Sequence, residues 1–187
     1  MPSTTTRDRI QQNEPAARDL VDKIKNVNLT SSYYLLLLTG PWVNGKRSYL
    51  ESIAAARGES VTEIDMHDVV TLHEEETYKK IDELFDSLGD DERILYFKNG
   101  DRLCGTYTGY TYSSTRYATP QERYLIKKIL KLQKIVIIDI VDEDNVDKTL
   151  ERHSQAIVRF DHSGSLFRRF LGGLSVHGHN ITSKRPG

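Results

Sequence analysis

The chain has 187 residues, 37% hydrophobic and 28% charged, with a formal net charge of -1 at pH 7. Such a composition fits one globular domain with a sizeable core and excludes a disordered polyelectrolyte. The lone cysteine, Cys104, excludes an intrachain disulfide framework, and the balanced charge gives no global attraction to nucleic acid or anionic membranes.

Residues 1–13 are polar and patternless. Glu14 to Asn28 is expected to be helical: Ala16, Ala17, Leu20, Val21 and Ile24 recur at helical spacing, and Pro15 suits a first turn. Residues 33–40, YYLLLLTG, form a continuous apolar run closed by glycine, the pattern of a buried parallel strand. A helix from about Lys46 to Ala56 follows, ended by Gly58. Val61 to Ile64 reads as a short strand. His73 to Leu88 reads as a helix whose acidic start, Glu74 to Glu76, suits a helix N-terminus.

Ile94 to Phe97 is a third strand, and Pro120 opens a helix to about Leu132. Ile135 to Ile140 is a fourth strand, Asp147 to Arg152 a short helix, and Ala156 to Phe160 a fifth strand. Alternation of this kind predicts a mostly parallel sheet covered on both faces. No run approaches the roughly 18 apolar residues of a membrane-spanning helix. The start of the chain lacks the apolar stretch of a secretory signal, so a cytoplasmic location is expected.

Gly40 to Arg47 reads GPWVNGKR, between a buried strand and a helix, as a phosphate-binding loop requires. Gly40 and Gly45 let the backbone wrap closely, and Lys46 is placed to reach phosphates. The next position normally carries a hydroxyl that holds Mg²⁺; here it is Arg47. Trp42 and Val43 are bulky for such a loop. The alternative is a plain strand-to-helix turn.

Hydrolysis from such a loop needs a metal-holding acid after a neighbouring strand. After Ile94–Phe97 stand Lys98 and Asn99 instead. Lysine repels Mg²⁺, and asparagine cannot take a proton from water. Asp65, Asp101 and Asp139 are candidate substitute acids. Asp139 stands out because it interrupts an apolar strand and needs a partner there, with Lys46 and Lys98 as candidates.

From about Ala17 to Asp161 the ordered series LLLLTGPWVNGKR, SVTEIDMHDVV, ILYFKNGDRL, KIVIIDIVDEDNVDKTL and ERHSQAIVRFD resembles the AAA class of P-loop ATPases. The resemblance implies a three-layer α/β P-loop NTPase-like fold with a mostly parallel five-stranded sheet in the order 5-1-4-3-2. It places Asp101 at a conserved aspartate, Val141 at the sensing position usually held by Asn, and Arg152 at the arginine finger. The helical lid of that family has no counterpart in the last 26 residues.

The expected organisation is a flexible N-terminal segment (1–13), a degenerate AAA-like domain (14–161) and a basic, Gly-rich tail (162–187). Tyr107, Tyr110, Tyr112, Arg116 and Tyr117 form a candidate interface loop, since Tyr and Arg favour binding hot spots. His177 and His179 are too few for a metal site, and none is expected. The expectation is a pseudo-ATPase that acts as a structural, regulatory or assembly subunit through a protein partner or homo-oligomer. No cofactor is required, ATP or another nucleotide is the candidate ligand, and neither nucleic acid nor membrane insertion is expected. An unconventional Mg-dependent hydrolase working in an oligomer is the alternative.

Overall fold

The computed structural model describes residues 9–30, 32–104 and 118–161. The candidate tyrosine loop from Tyr107 to Tyr117 and the tail from residue 162 lie outside them. In chain order the elements are β1 (Arg9–Gln11), α1 (Pro15–Lys25), β2 (Tyr34–Thr39), α2 (Val43–Arg57), β3 (Val61–Asp65), α3 (Met66–Val69), α4 (Glu74–Ser87), β4 (Ile94–Lys98), α5 (Pro120–Ile129), β5 (Ile135–Ile140), α6 (Lys148–His153) and β6 (Ala156–Arg159). Short 3-10 turns follow β4 and β5, at Gly100–Arg102 and Glu143–Asn145.

The sheet runs β1-β6-β2-β5-β4-β3, with every neighbouring pair parallel. It has six strands rather than the five expected. The added strand, β1, pairs Ile10 with Val158 at the edge. Its sequence, RIQ, is too short and too polar to announce a strand by alternation.

Side-chain alternation sorts the two faces. Leu36 and Leu38 of β2 and Ile135 and Ile137 of β5 meet α1 and α2 through Leu20, Ile24, Leu50 and Ile53. Leu35, Leu37, Val136 and Ile138 face the other way, against Met66, Ile81, Leu125, Ile129 and Leu150 of α3 to α6. The result is a three-layer α/β fold. Burial of each central Leu or Ile contributes roughly 1.5–3 kcal/mol, so β2 and β5 anchor the core.

Helix ends follow local chemistry. Pro15 opens α1, and Thr119 caps α5 by accepting the Glu122 N–H at 3.1 Å. Gly58 ends α2 in the left-handed region, φ 65°. Among the described residues no helix is long and apolar enough to cross a membrane.

Candidate functional site

The carboxyl ends of β2, β5 and β4 converge where α2 begins, and the sequence motif lies there. α2 starts at Val43, earlier than the expected start near Lys46. Val43, Asn44 and Gly45 are therefore helical, and only Gly40, Pro41 and Trp42 connect strand to helix. This connection is too short to encircle a phosphate. Its backbone donors also have protein acceptors. The Gly40 N–H donates to the Ile140 carbonyl at 3.1 Å and the Trp42 N–H to Phe160 at 3.2 Å. The Val43 N–H donates to Pro41 at 3.0 Å and the Lys46 N–H to Trp42 at 3.2 Å, while Pro41 has no N–H.

Both glycines serve packing at this turn. Gly40 has φ 94°, and a Cβ there would lie 2.3 Å from the Phe160 carbonyl oxygen. At Gly45 a Cβ would lie 2.3 Å from the Trp42 ring, so the indole covers the glycine where a wrapped loop would leave room. Beside the turn opens a cleft of 630 Å³, lined by Gln12, Arg18, Trp42, Gly45, Ser48 and Tyr49 among others. Lys46 is not among its lining residues.

Lys46 turns inward and is 1% exposed. Its ammonium donates to a carboxylate oxygen of Asp139 and, at 3.3 Å, to the Ile140 carbonyl. The second Asp139 oxygen accepts the Tyr96 hydroxyl at 2.8 Å. A cation, an anion and a phenol thus form one buried hydrogen-bonded cluster joining α2, β5 and β4. Burial, then the Asp139 charge, pushes the Tyr96 phenol well above its usual value, so it stays a donor. Tyr96 was not foreseen as a partner. The signal was present, since it alternates with Ile94 onto the Asp139 face of the sheet.

The other candidate residues lie apart from this cluster. Lys98 pairs with Glu63 across neighbouring strands at 3.3 Å, so of the two candidate lysines it is Lys46 that pairs with Asp139. Asn99 takes the left-handed conformation, φ 57°, and donates to Asp65 at 2.8 Å. That bond leads a set of contacts, with His67 also contributing, which lowers the Asp65 carboxyl to about 2. Asp101 accepts from the Val141 N–H at 2.7 Å, the Asp142 N–H at 3.1 Å and the Asn145 side-chain amide at 2.9 Å. Its carboxylate holds the turn after β5.

Val141 is 48% exposed and joins Val43, 62% exposed, among the large apolar residues left open to solvent. Arg47 points outward and pairs with Glu51 on the next helical turn at 3.4 Å. Arg152 is exposed in the last turn of α6. No group of three or more His, Cys, Asp or Glu side chains that could hold a metal occurs among the described residues.

Comparison with known proteins follows the fold rather than the sequence. No family model matches the chain, and no curated protein matches it significantly. Among solved structures it resembles a chain of the E. coli MS115-1 HORMA:CdnC:Trip13 complex, with a TM-score of 0.51 and 19% identity. The match covers 90% of this chain and 60% of that one. At that identity the likeness concerns the fold, a parallel α/β sheet compatible with a P-loop NTPase-like topology.

Proposed function

We propose that this chain is an AAA-like P-loop domain that no longer hydrolyses nucleotide and acts as a structural, regulatory or assembly subunit through protein contacts. The observation that carries the proposal is the buried Lys46–Asp139–Tyr96 cluster. A phosphate-binding lysine works by offering its charge to an incoming anion. Here that charge is already neutralised by a carboxylate of the same chain, and the Gly40, Trp42, Val43 and Lys46 N–H groups have backbone acceptors. Asp139 stands where binding energy would otherwise go to phosphate.

Two further observations support the reading. Lys98 and Asn99 follow the strand where metal-holding acids are needed, and each has a partner elsewhere. The similar solved chain belongs to a HORMA:CdnC:Trip13 complex, which fits a fold used among protein partners.

The test is nucleotide-dependent turnover and thermal protection with the purified full chain. Millimolar ATP or GTP with Mg²⁺ should leave the melting temperature unchanged. Magnesium-dependent hydrolysis that disappears in Lys46→Ala would overturn the proposal.

A further inference from the structure

A second buried polar cluster lies on the opposite layer, between the starts of α5 and α6. Glu122 stands three residues after the cap Thr119, the spacing of a capping box, and its carboxyl accepts the Thr119 backbone N–H. Asp147 caps α6, its Oδ1 accepting the Thr149 N–H at 2.6 Å and the Leu150 N–H at 2.8 Å. Each carboxyl thus uses one side at a helix N-terminus.

The remaining oxygens, Glu122 Oε1 and Asp147 Oδ2, are buried and have no donor among the described residues. Glu122 is 2% and Asp147 4% exposed, and the two carboxyls lie within hydrogen-bonding reach of one another. Two buried acceptors facing each other need a proton between them, because two bare carboxylates there would be desolvated and mutually repulsive.

We propose that Glu122 and Asp147 share one proton, and that this proton locks α6, with Arg152 on it, to the start of α5. The surroundings agree. Burial first, then the Asp147 charge, raises the Glu122 carboxyl to about 9, opposed by the Thr119 N–H and by Arg123 on the same helix. Cys104, from the turn after β4, packs nearby, and its thiol is pushed up by burial and by the charges of Glu122, Asp101 and Asp147. It supplies no compensating positive charge. Loss of the shared proton to solvent leaves two anions in contact, and the α6 cap is the weaker attachment, because that helix is one of the shortest.

The experiment uses the full chain in two measurements. Carbon-13 NMR follows the Glu122 carboxyl through pH. Hydrogen exchange follows the Thr149 and Leu150 amides in wild type, Glu122→Gln and Asp147→Asn. Either amide supplies a donor that does not titrate. The wild-type carboxyl should stay protonated at pH 7 and titrate near 9. Because the folded value is the raised one, wild-type exchange divided by that of either variant should rise by up to about tenfold per pH unit as pH climbs toward 9 and level off above it. A Glu122 carboxyl that titrates at its ordinary value, or an exchange ratio flat from about pH 7 to 10, overturns the proposal.

Discussion

Replacing Lys46 by methionine keeps most of the side-chain volume and removes only the charge. In wild type the ammonium is 1% exposed and bonded to Asp139 and the Ile140 carbonyl. Its loss leaves the Asp139 carboxylate buried with Tyr96 as its sole described side-chain partner. Breaking one half of a buried ion pair costs about 3–5 kcal/mol. That is a large part of the roughly 5–15 kcal/mol that holds a domain together.

At this chain length each kcal/mol moves the melting temperature by about 2–4 °C, so a fall on the order of 10 °C is expected. Asp139→Asn should destabilise too, since it strands the ammonium. The double variant should recover much of the loss, because the asparagine amide oxygen still accepts from Tyr96 and no buried charge remains. Urea unfolding of the four proteins measures the coupling directly. Single variants that each cost less than about 1 kcal/mol and add without coupling would show a solvated lysine. Asp139 would then not be occupying the charge of Lys46.

Gly45→Ala drives a Cβ into the Trp42 ring and should cost about 1–3 kcal/mol. Gly40→Ala meets rigid backbone at a positive φ and should lower the melting temperature further. Asp101→Ala removes the acceptor for three donors and should cost about 1–3 kcal/mol. Faster hydrogen exchange at Val141 and Asp142 with β2 unaffected would be its signature. Asn99→Ala should raise the Asp65 carboxyl from about 2 toward 3.8, as read by NMR titration. Because the folded value is the depressed one, the stabilisation tied to Asp65 is present above pH 3.8. It is lost as pH falls toward 2, and the variant should show less of that acid-side loss.

The buried strands were legible because their chemistry is one-dimensional. The runs YLLLLT and IVIIDI can be satisfied only in the middle of a sheet, and they form β2 and β5. The strand Arg9–Gln11 was not legible, since its pairing depends on the exposed edge of β6 rather than on its own residues. The brief helix Met66–Val69 is another case. Its cap is Asp65, which also serves as the end of β3 and as the acceptor for Asn99.

At the site, Lys46 and Asp139 could each be singled out from type and place, and their pairing was one of two options. What could not be read was the early start of α2. It follows from Trp42 packing on Gly45 and from turn N–H groups meeting carbonyls of β5 and of Phe160 just after β6, contacts that join distant parts of the chain. The proton shared by Glu122 and Asp147 was hidden for the same reason. Each acid looks like an ordinary helix cap until the two helices are brought together.

The first strand carries one more consequence. β1 is joined to β6 by parallel pairing and clasped by Arg9 to Glu143 and Glu151, yet it is separated from the main sheet strands by the whole of α1. This short strand at the sheet edge is held to β6 by three paired positions. A copy that surrenders it leaves the flank of β6 open to the same strand from a neighbour.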